Sequence, residues 1–257
     1  MGSNAMFTAV TGAGAQQLRI DVISNNLANL GTVGYKASRP QFEDLLYETI
    51  RPGVAEGGSP TGIQFGRGTR IVGTEKIQSS GVLRTTEQAL DVAIDGRGFL
   101  AVQQLNGDIA YTRNGSLKLD PNGTVVNTSG LPLDPPITIP PDTVEIQITQ
   151  DGIVSIRQPG SPTLSEVGQI QLAVFPNETG LTAIGGNLLV ESDSSGAPTT
   201  GTPGDEAFGL IQQGALEEAN VNIAEELVNL ILAQRAFEAN TRVISASDEI
   251  LRFVTQR

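Results

Sequence analysis

The chain has 257 residues, with 28 acidic against 16 basic side chains and no His, for a formal net charge of −12. Such a surface argues against nucleic acid or an anionic membrane face as a partner, because both reward clustered Lys and Arg, and 4% aromatics with no Trp leaves few platforms for stacking bases or sugars. Without Cys or His there is no thiolate nucleophile, disulfide, imidazole base or His-ligated metal, so no cofactor or metal is expected and catalysis would rest on carboxylates, Lys, Tyr or Ser.

No apolar run approaches the length of a membrane span, so membrane insertion is not expected. The N-terminus lacks the basic start and continuous apolar core of a secretory signal. Residues 1–5 read equally as native chain or as a cloning remnant ahead of a start at Met6.

Residues 6–30 are predicted to be helical. Met6, Val10, Ala13, Gln17, Ile20, Ser24 and Leu27 alternate in steps of four and three, the spacing of a coiled-coil seam. Small residues at 12–15 would admit a second helix closely. The segment ends in Ser24-Asn-Asn-Leu-Ala-Asn29 and then Gly31 and Gly34, which is C-cap and turn chemistry, so these Asn side chains are explained by bonds to nearby backbone.

Phe42, Leu45 and Leu46 are spaced for a short helix over 38–48, and 49–68 is rich in Gly and Pro without a clear period. From 69 to about 210 the texture becomes short β-prone runs (69–74, 90–94, 99–103, 110–112, 117–119, 144–148, 153–156 and 169–175). Asp95-Gly96, Asn106-Gly107, Asn114-Gly115, Asn122-Gly123 and Asp151-Gly152 stand between them as hairpin-turn signals. Pro135, Pro136, Pro140 and Pro141 mark a corner or a division between two β portions, and 192–204 reads as a surface loop.

No Gly or Pro occurs from Ala215 to the end, where an average protein would place about five. Ile223, Leu227, Leu230, Gln234, Phe237, Thr241, Ile244, Asp248 and Leu251 form one stripe at the same spacing, with Asn222 placed to cap the helix. Such a helix would run on the order of 50 Å, too long for one domain to cover. Gln17 and Gln234 sit near the middle of the two seams and are candidate register-setters. The fold expected is α+β in outline: a mainly-β centre (69–216) inserted between coiled-coil-type terminal helices (1–36 with 217–257), with a short helix and a Gly/Pro-rich stretch at 37–68.

Several constellations fail as chemical sites. Gly96-Arg-Gly98-Phe99 lacks the third Gly and following helix of a phosphate loop, and Asp120-Pro-Asn-Gly123 lacks the further ligands of a calcium loop. The pairs Asp91/Asp95 and Glu217/Glu218 are expected to solvate the surface. Tyr111-Thr-Arg113 reads as a strand entering a hairpin.

Four motifs then resemble those of the bacterial flagellar rod and hook family. They are Ser24-Asn-Asn-Leu-Ala-Asn29 with Gly34-Tyr-Lys36, Asp91-Val-Ala-Ile-Asp-Gly-Arg-Gly-Phe99, Tyr111-Thr-Arg-Asn-Gly-Ser-Leu-Lys-Leu-Asp120, and Val221 through Asn240. They occur in order over essentially the whole chain. Residues 42–51 and the Gly-rich stretch to Gly68 resemble a segment of the family's distal rod members that its hook members lack. A proximal rod member is the alternative within the family; an extracellular β-rich glycan-binding or glycan-cleaving protein is the alternative outside it.

The resemblance implies a non-enzymatic subunit, exported by the flagellar type III apparatus without a cleaved signal peptide. It would polymerise helically with its own copies in the periplasmic rod of the basal body. Neighbouring proximal rod and hook proteins and the surrounding ring proteins would be its other partners. The implied assembly interface takes Val10, Ala13, Gln17, Ile20, Asn25, Asn26, Leu27 and Asn29 from the first helix. The last helix would supply Ile223, Leu227, Leu230, Gln234, Phe237, Ile244 and Leu251. Tyr47, Arg51, Pro52, Pro60, Ile63 and Phe65 would belong to a rod-stiffening stretch.

Overall fold

The computed structural model describes residues 2–51, 61–160 and 163–255. Two compact units emerge: Met1–Ala28, Ser38–Lys76 and Asn222–Arg257 form one, and Asn29–Ala37 with Ile77–Val221 the other. The strands of 38–76 therefore group with the helices, while 29–37 and 217–221 group with the β unit.

The first unit contains α1 (Gly2–Ala28), β1 (Ser38–Asp44), β2 (Glu48–Arg51), β3 (Ile63–Phe65), β4 (Thr69–Lys76) and α2 (Ile223–Thr255). The helices run antiparallel, since Arg19 meets Asn229 while Asn26 meets Glu226 and Gly12 faces Asn240. Asn222 caps α2: its Oδ1 accepts the backbone N–H groups of Ala224 (3.1 Å) and Glu225 (3.5 Å).

The helix expected over 38–48 is a strand. β1 pairs antiparallel with β4 from Ser38↔Lys76 to Asp44↔Thr69. Pro40 supplies the reason, because its ring disfavours the helical conformation at Arg39, and a two-stranded edge tolerates the missing donor. The period-free stretch after it contains a second ladder, β2 with β3, pairing Glu48↔Phe65 and Arg51↔Ile63. Pro52 and Pro60 lie outside the described residues.

The second unit holds β5 (Leu83–Thr85), β6 (Val92–Asp95), β7 (Phe99–Gln103), β8 (Ile109–Thr112), β9 (Lys118–Leu119), β10 (Val125–Val126), β11 (Glu145–Ile148), β12 (Ile153–Arg157), β13 (Ser165–Gln169), β14 (Leu172–Val174), β15 (Thr182–Gly185), β16 (Leu188–Val190), β17 (Thr199–Gly201), β18 (Leu210–Gln213) and β19 (Ala215–Glu217). Its largest sheet has the order β15-β16-β8-β7-β14-β17, and β11-β12-β13 form a second. Alternation along β7 sends Leu100 and Val102 into one apolar cluster and Phe99 and Ala101 into another. In the second cluster Phe175 stands edge-on to Tyr111, with centroids 4.8 Å apart.

Hairpins close at Asn106-Gly107, Asn122-Gly123 and Asp151-Gly152, with positive φ at each Gly. Asp95-Gly96 does not close one, because β6 pairs with β18 instead of β7. Asn114-Gly115 is an Asx turn, with Asn114 Oδ1 accepting the Ser116 N–H. The proline-rich stretch does not divide the β region: Ile137 and Ile139 lie fully inside the cluster that also holds Val125 and Ile156. Within the expected loop at 192–204, Ser195 is buried and β17 forms a sheet edge on β14.

Candidate functional site

Three features stand out: the helix pair, an exposed apolar hairpin, and a buried charge cluster. On α1 the inward line is Ala9, Ala13, Gln16, Ile20, Ile23 and Leu27. On α2 it is Glu226, Leu230, Ala233, Phe237, Asn240, Ile244 and Ser247, with Ala233 0% exposed. A Cβ at Gly12 would lie 3.0 Å from Asn240 Oδ1, so close approach is what the small residues permit.

The observed lines are neighbours of the predicted ones. Ala13, Ile20, Leu27, Leu230, Phe237 and Ile244 belong to both. Val10, Gln17, Ile223, Leu227, Gln234 and Leu251 are exposed instead, so neither Gln lies in the contact between α1 and α2. Gln17 donates to Asp21 along its own helix. The physical reason is that tightly packed helices select small side chains, and Ala233 and Ser247 read as weaker seam positions than the bulkier residues beside them.

Of the three Asn side chains, Asn26 carries the most. It is 2% exposed; its Nδ2 donates to the Ser38 carbonyl (2.9 Å) and to Glu226 Oε1 (2.8 Å), and its Oδ1 accepts the Ser38 N–H (2.9 Å). That satisfies both backbone groups where β1 begins and ties them to both helices. Asn25 is exposed, and Asn29 accepts the Thr32 hydroxyl in the second unit.

The β2–β3 hairpin has every described residue exposed, including Tyr47 just before it and Ile50, Arg51, Ile63 and Phe65 within it. Apolar side chains displayed on a two-stranded ribbon mark a surface that another molecule can cover.

The charge cluster lies in the β unit, and no local sequence signal marks it. Glu217, expected at a solvated surface, is 1% exposed. Its Oε1 accepts Lys36 Nζ at 2.6 Å and the Gly81 N–H at 2.8 Å, and its Oε2 pairs with Arg113 Nη1 at 3.4 Å. Lys36 also donates to the Ser79 carbonyl (2.8 Å), and Arg113 to the Gly96 carbonyl (2.8 Å) while its guanidinium carbon lies 5.2 Å from the Phe99 ring centroid. Gly34 donates its N–H to the Glu217 carbonyl; at φ +69° a Cβ there would sit 2.6 Å from Arg113 backbone. Burial pulls Lys36 below its usual pKa, against the hydrogen bond and charge of Glu217, and it lowers Arg113 likewise. Asp91, also expected to be solvated, is buried and accepts the Thr86 hydroxyl at 2.7 Å. Lys36 and Arg113 lie within recognisable motifs, but no spacing signal joins them to Glu217.

Comparison with known proteins places these features. Residues 6–36 match the family described as flagella basal body rod protein, 93–156 the flagellar hook protein FlgE/F/G D1 domain, and 212–257 the flagellar basal body rod FlgEFG protein C-terminal region. The chain is 46% identical to the flagellar basal-body rod protein FlgG of Buchnera aphidicola subsp. Schizaphis graminum, over 98% of both chains. The chain belongs to the flagellar basal-body rod protein family.

Other FlgG relatives include that of Caulobacter vibrioides (42% identical, 98% of both chains) and that of Borreliella burgdorferi (42%, 96% of both). The flagellar hook-basal body complex protein FlhP of Bacillus subtilis is more distant, at 28% over 97% of both. Membership in the rod family makes this a structural protein and not an enzyme. In this rod protein the charge cluster falls where the matched segments converge: Lys36 in the first, Arg113 in the second and Glu217 in the third.

Proposed function

We propose that the chain is a subunit of the distal rod of the flagellar basal body, polymerising helically through its terminal helices. The rod acts as a drive shaft that carries torque across the periplasm and encloses the export channel. The observation that carries this reading is the exposed apolar surface of α2, from Ile223, Leu227 and Val228 to Ile250, on a chain otherwise strongly acidic. A single subunit leaves that face in water along the whole helix, and copies related by a non-closing head-to-tail operation would cover it as a filament. Coiled-coil contacts between copies use the terminal helices, and the candidate interface residues outside the α1–α2 contact, Val10, Gln17, Leu227, Gln234 and Leu251 among them, face those copies.

The hairpin around Tyr47, Arg51, Ile63 and Phe65, with Pro52 and Pro60, stiffens the rod by wedging between subunits. Proximal rod and hook proteins abut the polymer's ends and ring proteins surround it. The chain reaches the periplasm through the flagellar export apparatus, with no cleaved signal peptide. The relatives' printed name, basal-body rod protein FlgG, favours this reading over a proximal rod subunit and over a glycan-active protein.

Deletion of 222–257 tests it. The β unit is expected to keep its fold, since α2 belongs to the other unit, while incorporation into isolated basal bodies is lost. Normal rods built from the truncated chain would refute polymerisation through the helices.

A further inference from the structure

On α2, beside the line that faces α1, a second line runs in the same alternation of four and three, from Leu232 through Val243 and Ile250 to Phe253, with Ala at every step between. These four large side chains are 54%, 45%, 61% and 68% exposed. The outward line of α1 repeats the spacing through Phe7, Val10, Gly14, Gln17 and Asp21. Nothing lies within 4 Å of the position a Cβ would take at Gly14, so the line has an open notch. Asp21 accepts from Gln17 at 3.0 Å; among the described residues it has no cation in ion-pair distance, and Arg235, at the margin of the second line of α2, has no carboxylate in ion-pair distance.

Resting on the rod reading above, we infer that the outer line of α2 in one copy packs antiparallel on the outer line of α1 in another, with Arg235 opposite Asp21. That single charge pair sets the register. Antiparallel helices advance equally, so Gln17 then falls opposite Ala239 and Val10 opposite Ala246, while Gly14 and Phe7 fall within one residue of Val243 and Ile250 on the line. Each larger side chain meets a smaller one, apart from the final Phe–Ile pair, as interdigitated seams require. Pairing α2 with a second α2 would close as a two-fold dimer and leave Asp21 and Phe7 uncovered. Pairing it with α1 uses both outer lines and leaves every copy able to accept the next.

The chain contains no Cys, so an introduced pair reports this contact alone. Rods isolated from cells carrying the Val10→Cys/Ala246→Cys variant are oxidised and run under non-reducing conditions. A ladder of linked multimers beyond the dimer is expected, with none from either single variant. Dimers from Ala246→Cys alone would assign the line to a second α2 and overturn the inference. Independently, Asp21→Arg and Arg235→Asp should each reduce incorporation into rods by about tenfold, and the double exchange should restore it. Rods that form normally from both charge reversals, without cross-links, overturn this contact and leave the rod assignment standing. Absence of the wild-type chain from isolated rods overturns the assignment itself.

Discussion

Replacing Glu217 by Gln removes one negative charge from a site where two cations stay buried. Lys36 and Arg113 are 4% and 5% exposed; among the described residues Glu217 is the carboxylate within ion-pair distance of both, and Glu178 adds only a longer-range attraction. Removing one partner of a buried pair costs about 3–5 kcal/mol, because the remaining charge has lost its compensation and cannot reach water. The amide oxygen of Gln can still accept the Gly81 N–H, which favours the lower end, about 3 kcal/mol. For a unit of about 150 residues that is a fall in melting temperature of roughly 6–12 °C. Near-UV circular dichroism isolates the unit concerned: of the three Tyr, Tyr35 and Tyr111 are buried within it and only Tyr47 belongs to the helical unit. Converting Lys36, Arg113 and Glu217 together to Met, Leu and Leu should regain most of the loss, since the desolvation cost leaves with the charges. A drop below about 2 °C for Glu217→Gln would refute the reasoning, as the cluster would then be effectively solvated.

The same cluster makes the β unit pH-dependent. Burial lowers the native pKa of Lys36 below 10.5, so between that value and 10.5 the unfolded chain binds more protons and stability rises with pH. Tyr111 acts in the opposite sense above pH 10, because burial raises its native pKa from 10.0. Urea midpoints followed by near-UV signal from about pH 8 to about pH 10 should therefore climb more steeply in the wild type than in Lys36→Met, and equal slopes would contradict this. The helix contact is tested by two adjacent substitutions. Ala233→Leu overfills a buried position and should cost about 1–3 kcal/mol in helical melting at 222 nm. Gln234→Leu, on the exposed face, should stay within about 0.5 kcal/mol in the isolated chain. The reverse order would restore the seam through Gln234.

Local chemistry determined much of this protein directly. The cap at Asn222 and the hairpins at Asn106-Gly107, Asn122-Gly123 and Asp151-Gly152 depend on neighbours within a few residues, and each lies where turn and capping preferences place it. The long terminal helices follow from the missing Gly and Pro and from apolar spacing, which act along a single segment. The helix misplaced over 38–48 shows the limit of such spacing, because Pro40 and pairing with β4 outweighed three apolar positions.

Only the tertiary structure decided which of two adjacent lines on each helix turns inward. The answer depends on how closely the axes approach, and both lines carry the same period. It also decided the charge cluster. Lys36 and Glu217 stand 181 positions apart, and Arg113 and Glu217 stand 104 apart. No periodicity links residues at such separations. A carboxylate that reads as surface solvation becomes the centre of a buried site because chain topology, which no local preference encodes, brings two cations to it.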